Sequence, residues 1–452
     1  MPAVFTPIEP AYARSRPAGK AGAIGKDIFA FVSGKRPRGP IPARRRVPAR
    51  DLAANDFRSA GGNMKILHLF SDWKWTGPSE PVLNLCKELE RRGQDVTLAY
   101  CRPPIPVEDS LERKVLEMGV KATDQFHLNH AVKLSRPLSI REAFRDISSL
   151  TQYLRREAFD VLNVHQSHDH LLGGIAARRS KVPTVVIRTD HKRDTLISGL
   201  GNRFLISRLT DGMITFSEKA KRESAANFGL PEDRVCRVMP ALELDRFNPK
   251  RQFKDMRKVF GIGPEEVVVG MVARFQKYRR TEVFLEALPA IVREFPNIKV
   301  LLVGRSSQME ESVIKPIKRL GVEKWVVLGG YRTDDYVDTL GCMNIFVFLM
   351  AGSDGTARAL REAMAMGKPA IVAERGIMPE LVEHGVSGLV VQDTPEELAK
   401  ATLHLLRQRT LRVKMGMAAR ERASRDFRLD LQAEAVVGFY REMMLLGRWR
   451  RR

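Results

Sequence analysis

The sequence predicts an α/β protein built from two successive parallel-sheet units that face one another across a cleft. Three observations predict it. From Met64 onward, short runs rich in Val, Ile and Leu alternate with longer amphipathic runs. The short runs are continuously apolar, as expected of strands covered on both faces by helices. The series halts in a polar, proline-marked stretch, "RVMPALELDRFNPKRQFKD" (Arg237–Asp255), and then begins again. The chain has 452 residues, 44% of them hydrophobic. That exceeds the ~250–300 residues at which a single core stops growing, so two domains are the expectation.

The elements follow in order. "KILHLF" reads as a buried strand, followed by a glycine-containing loop. "SEPVLNLCKELERRG" then carries Val82, Leu85, Cys86 and Leu89 at helical spacing and stops at Gly93. "DVTLAY", "DVLNVH", "PTVVIRTD" and "GMITFS" read as the next strands. Beyond the polar crossing come "EVVVGMVAR", the helix "TEVFLEALPAIVREF", and the strands "KVLLVG", "WVVLGG", "NIFVFL", "KPAIVA" and "GLVV". Helices around 395–406 and 411–424 and the amphipathic stretch "LDLQAEAVVGFYREMMLL" complete the fold. The expected division is a basic Pro/Gly/Arg-rich extension over 1–63, domains over 64–245 and 246–426, and a helix over 427–452 that packs back toward the first domain and ends in a basic tail. Ligands of open parallel sheets bind outside the carboxyl ends of the strands, which places the expected site between the two units.

Composition narrows the function classes. A formal charge of +23, from 76 Lys+Arg against 53 Asp+Glu, favours polyanionic partners: acidic lipid, phosphorylated substrates or nucleic acid. Neither basic end, "SGKRPRGPIPARRRVPARD" or "GRWRRR", carries a nucleic-acid recognition motif, which argues against nucleic acid as the partner. No apolar run reaches the ~18 residues of a spanning helix, and the amino terminus lacks a signal-peptide pattern. Cys86, Cys101, Cys236 and Cys342 stand singly, as in a reducing compartment, and have no metal-ligand spacing. The expected location is cytoplasmic, with peripheral attachment to the inner face of the plasma membrane through the basic surface.

Two groups of residues carry the chemistry. In "AGSDGTARALREAMAMGKPAIVAERGIMPELV", Gly355 permits close backbone approach, and the amides near Thr356 open a helix whose unsatisfied donors suit phosphate or sugar hydroxyls. Asp354 stands at the loop mouth. Glu362 lies within the helix, where a carboxylate can accept two hydrogen bonds from the vicinal diol of a ribose. Glu380 follows the next strand as a third acid. The plain alternative is a dipole-serving acid and an ordinary surface glutamate. In "VGMVARFQKYRR", Arg274 falls just past a strand, with Lys277, Arg279 and Arg280 beyond it. Such cations can hold a diphosphate and neutralise it as it departs; the alternative is a solvated basic loop. Gly77 and Ser79 occupy the first strand-to-helix loop, without the triple-glycine dinucleotide spacing. Trp73 and Trp75 could stack on an acceptor or cover an edge. His165, His168 and His170 in "NVHQSHDH" and His191 in "RTDHKRD" follow strands and so face the expected cleft. No H-E-x-x-H pattern is present, and no metal is expected.

Together these residues resemble the retaining glycosyltransferases of family 4, whose architecture, called GT-B, sets two Rossmann-like domains with parallel sheets across a cleft. The resemblance runs from Met64 to roughly Met444. It is most specific where the family has an acid, seven residues and Glu, then E-A-M-A-x-G-x-P-V and G-G-x-x-E; here the string is "SDGTARALREAMAMGKPAIVAERGIMPELVEHGVSGLVV". The resemblance implies that Glu362 holds the nucleotide ribose, Asp354 approaches the donor sugar, and Arg274 binds diphosphate with Arg279 or Lys277 as partner cation. It also implies that His191 positions donor and acceptor, and that Gly77 belongs to the amino-terminal glycine loop. Ser79, Gly355, Thr356 and Glu380 are expected beside them in the donor site from their own places at the loops and helix starts described above. Three features depart from the family pattern: Asp354 where Glu is commoner, Thr356 where an aromatic usually stands, and "TGPSEP" where a double glycine usually stands. They leave sugar identity open.

The function so implied is retaining transfer of a hexosyl or heptosyl group from a nucleotide diphosphate sugar (UDP-, GDP- or ADP-linked) to a hydroxyl of a glycan or lipid-linked acceptor. A cell-envelope glycan such as lipopolysaccharide core is the expected product class. No cofactor is required beyond the donor. The alternatives are a nucleotide-sugar epimerase on the same architecture and a non-catalytic or nucleic-acid-binding basic protein. Oligomeric state is not legible in the sequence.

Overall fold

The structure, a computed structural model, describes residues 62–449 apart from 76, 106, 108–109, 129–136 and 353–354. The expected basic extension, but for its last two residues, therefore lies outside the described residues, as do Asp354 and the final 450–452.

The first sheet has seven strands: β1 (Lys65–Phe70), β2 (Asp95–Tyr100), β3 (Ala122–Thr123), β4 (Val161–Val164), β5 (Val185–Thr189), β6 (Gly212–Thr215) and β7 (Val235–Arg237). They run parallel in the order β3-β2-β1-β4-β5-β6-β7. The second has six: β8 (Val267–Val272), β9 (Ile298–Val303), β10 (Val326–Gly330), β11 (Ile345–Phe348), β12 (Ala370–Ala373) and β13 (Gly388–Val391), parallel in the order β10-β9-β8-β11-β12-β13. In each sheet the winding reverses once, between β1 and β4 and between β8 and β11. Loops leaving those strands diverge to opposite faces and open a crevice at the sheet's carboxyl edge. Two short edge strands, β3 and β7, escape the sequence reading because two or three residues leave no periodic signal.

Strand alternation sends Ile66 and Phe70 to one face of the first sheet, where they meet Val82, Leu85, Cys86 and Leu89 of the helix Ser79–Arg91. Leu67 and Leu69 go to the other face, against Leu150, Leu154, Leu172 and Ala176. The final helix, Leu429–Trp449, crosses from the second sheet to the first. Its Val436, Phe439, Tyr440 and Met443 join the same core as Ile66. The approach is close: a Cβ on Gly212 would come within 2.7 Å of the Phe439 ring. Each such buried side chain stabilises the docking by roughly 1.5–3 kcal/mol.

The lobes are joined at further points. Buried Arg361 donates to the carbonyls of Pro240 (3.2 Å) and Ala241 (2.5 Å), which ties the helix Arg358–Ala365 to the crossing segment. The amide of Leu242 donates to Phe427 O at 2.9 Å. Among the described residues no helix is long and apolar enough to cross a membrane.

Candidate active site

A cavity of about 1060 Å³ lies between the lobes. Its walls are the loops that leave β1, β4 and β5 on one side and β8, β9, β10 and β11 on the other, so it sits at the winding reversal of both sheets.

The cationic wall comes from the loop after β8. Arg274, two residues past the strand, is exposed and lines the cleft. The short turn Lys277–Arg279 then brings Arg279 back toward β11, where its Nη1 donates to Met350 O at 2.8 Å. Burial, with Arg274 and Arg193 nearby, lowers the Arg279 guanidinium from its ordinary value. Tyr278 is flanked by Arg279 at 5.6 Å and Arg193 at 5.4 Å, both over its ring. Lys277 is exposed and is not among the residues that line the cavity. Of the two partner cations left open by the sequence, the structure brings Arg279 beside Arg274.

The acidic wall is the helix Arg358–Ala365 after β11. Its cap residue, Ala357, holds φ +50°, a left-handed backbone that costs a non-glycine residue energy and persists only where the surroundings enforce it. Glu362 is buried and lines the cavity. Its Oε1 accepts from Arg358 Nε at 2.7 Å and its Oε2 from the Tyr336 hydroxyl at 2.5 Å. Arg358 also reaches Glu80 of the first lobe, Nη2 to Oε2 at 2.7 Å. Burial works against the Arg358 charge, yet the Glu362 and Glu80 carboxylates hold its pKa above the ordinary value. Burial raises the Glu80 carboxyl against the pull of Arg358, and burial with Glu362 raises Tyr336, which keeps its proton to donate. A carboxylate has about four lone-pair positions, so Glu362 retains acceptor capacity for ribose hydroxyls.

From the first lobe, Gly77 and Trp75 line the cleft. Ser79 is buried, donates from Oγ to Lys74 O at 2.8 Å and closes the loop on itself; it does not line the cavity. His191 lines the cleft, and its carbonyl accepts from the Gly355 amide at 2.8 Å. Only glycine fits there, because a Cβ would meet Lys192 O at 2.6 Å. This touch between lobes separates the cleft from a second cavity of about 750 Å³, lined by Lys192, Arg193, Arg375 and Asp393. Thr356 is buried, its hydroxyl and carbonyl both accepting from Arg361.

Glu380 is not brought to the cleft. Its carboxylate accepts from the amides of Glu218 (2.9 Å) and Lys219 (3.3 Å), at the start of the helix Glu218–Phe228, and lies 3.5 Å from Arg237 Nε. It serves an interlobe helix end, where a carboxylate is stabilised by unsatisfied amides. His168 lines the cleft, whereas His170 is buried with its Nε2 2.5 Å from Thr210 Oγ1. Sequence reasoning missed Glu80, Tyr336 and Arg358. Arg358 was legible only as one more basic residue, and Glu80 only as the acid in the first turn of a helix.

Residues 252–422 match the family described as glycosyl transferases group 1, and residues 76–246 match glycosyltransferase family 4. N-acetyl-alpha-D-glucosaminyl L-malate synthase of Bacillus anthracis is 26% identical over 300 residues, 65% of this chain and 76% of that enzyme. The UDP-Gal:alpha-D-GlcNAc-diphosphoundecaprenol alpha-1,3-galactosyltransferase of Escherichia coli is 21% identical over 400 residues, 86% of this chain and 100% of that enzyme. Among solved structures, Anabaena HepE in complex with UDP superimposes with a TM-score of 0.68 at 18% identity, covering 83% of this chain and 99% of HepE, which fixes the fold as GT-B. With both lobes matched and the cleft between them lined by paired cations and a helix glutamate, the chain belongs to the family 4 glycosyltransferases.

Proposed function

We propose that the enzyme moves a hexosyl or heptosyl group from a nucleotide diphosphate sugar to a hydroxyl of a glycan or lipid-linked acceptor of the cell envelope, with retention of anomeric configuration. The observation that carries this reading is the convergence of Arg274, Arg279 and Glu362, all from the second lobe, on a single cleft, with His191 on the opposite lobe. The diphosphate spans the two arginines, the ribose diol binds Glu362, and the sugar lies toward His191 and the loop that holds Asp354 and Gly355.

In the reaction the bond between the anomeric carbon and the diphosphate oxygen breaks, and negative charge grows on that oxygen. Arg274 and Arg279 stabilise it. The acceptor hydroxyl adds to the same face of a short-lived oxocarbenium ion, and its proton passes to the departing phosphate oxygen. Closure of the lobes excludes water that would otherwise hydrolyse the donor. The basic surface holds the enzyme beside an anionic membrane, where a lipid-linked acceptor lies; co-sedimentation with anionic but not neutral vesicles is the expected result. The test of the reading is a panel of UDP-, GDP- and ADP-sugars with envelope acceptors, scored by nucleotide release. Release that depends on acceptor supports transfer; conversion of a sugar nucleotide without acceptor contradicts it.

A further inference from the structure

Three buried histidines form a single row across the first sheet: His68 on β1, His165 just past β4 and His191 two residues past β5. Nδ1 of His68 lies 2.9 Å from Nε2 of His165, and Nδ1 of His165 lies 3.0 Å from Nε2 of His191. Neighbouring ring centroids are 5.2 Å apart at both steps. Two nitrogens remain at the ends, Nε2 of His68 and Nδ1 of His191, both of them buried. Neither has a hydrogen-bond partner among the described residues.

Burial holds His68 and His191 down to about 3 and takes His165 well below its ordinary value. The neighbouring Arg188 cation adds to the effect on His165 and His191. Arg188 is itself buried, 3.6 Å from Asp190 Oδ1. At neutral pH each imidazole is therefore uncharged and carries one N–H. With both junctions satisfied, only two arrangements exist: all three protons on Nδ1, or all three on Nε2. The second strands an N–H on His68 where nothing can accept it, and orphaned buried N–H groups are rarer than orphaned acceptors. The first puts the N–H on His191, which lines the cleft where substrates would bind, whereas His68 does not.

We propose that His165 and His68 are positioning residues that lock His191 as the Nδ1–H tautomer, so that His191 donates a hydrogen bond to an oxygen of the donor sugar or acceptor and is barred from acting as a general base. The role assigned to His191 rests on the transferase reading, and it agrees with delivery of the acceptor's proton to the departing phosphate. The tautomer itself does not depend on that reading.

The experiment is long-range 1H–15N correlation on the full chain labelled with 15N-histidine, assigned by single-histidine variants. The expected result is Nδ1–H on all three residues; an Nε2–H or doubly protonated His191 overturns the proposal. His165→Leu should leave His191 in mixed tautomers and lower kcat roughly tenfold, the scale of one hydrogen bond, with donor KM unchanged. His68→Leu, farther from the cleft, should also mix the His191 tautomers, and it carries the test should His165→Leu fail to fold. A fixed His191 tautomer in a folded variant contradicts the proposal. Absence of transfer with every donor would sink the transferase reading while the spectra still decide the tautomer.

Discussion

Nη2 of Arg358 lies 2.7 Å from Oε2 of Glu80, joining the helix that carries Glu362 to the first helix of the other lobe. The same guanidinium holds Glu362 through Nε, so one cation bridges two buried acids from opposite lobes. Arg358→Ala takes the cation from Glu362 and leaves Glu80 only the more distant Arg246, 3.9 Å away. The expected loss is about 2–4 kcal/mol at pH 7, below the range for fully buried pairs because 27% of the Arg358 side chain is exposed. The deficit in Tm should narrow as pH falls and Glu80, raised by burial, takes a proton; a gap that does not depend on pH contradicts this account.

Arg274 and Arg279 line the cleft together, and in the proposed reaction they meet the departing diphosphate. Arg274→Ala and Arg279→Ala should each cut turnover roughly 10²–10³-fold, the scale of one charge-stabilising contact. Lys277→Ala should change it little, since that side chain faces solvent. Initial rates at saturating donor check all three, and near-wild-type turnover in either arginine variant contradicts its role.

Glu362→Gln keeps the size of the side chain but weakens its capacity to accept from Arg358, Tyr336 and a ribose. The expected outcome is a donor KM raised about tenfold with a smaller change in kcat. A donor-concentration series separates the two parameters, and a purely kcat effect would place the residue at the chemical step instead.

The histidine row makes stability depend on acid. The folded-state values lie below those of the unfolded chain, so the unfolded chain binds more protons as pH falls from about 6.5 toward 3. The stability these residues contribute is fully present above about pH 6.5 and lost below it, on the order of 1.4 kcal/mol per pH unit for each histidine. Asp169, pushed up to about 6 by burial, works in the opposite sense below that pH and offsets part of the loss. Denaturant melts from pH 7 to 5 should show falling stability, with a flatter slope in His68→Leu.

Much of this architecture is legible in the sequence because parallel strands buried on both faces read as continuous apolar runs, and the six strands of the second sheet all carry that signal. Arg274 and Glu362 are legible because they sit at fixed offsets from a strand end and within a short helix. The choice between Lys277 and Arg279 is not, since it depends on how a three-residue turn rotates its side chains. Glu380 misleads for a related reason: its neighbourhood follows the family string, but the nearest unsatisfied amides belong to the other lobe. The Glu80–Arg358–Glu362 linkage and the histidine row join residues far apart along the chain, and no local pattern reports such pairings.

The most direct test of the central claim is the anomeric configuration of the product. Wild-type enzyme, an accepted nucleotide sugar and its acceptor are followed by 1H NMR through the anomeric coupling constant, with Arg279→Ala as control. The account predicts a new glycosidic bond of the donor's own configuration, formed slowly or not at all by the variant. An inverted linkage, or equal rates from both proteins, would contradict it.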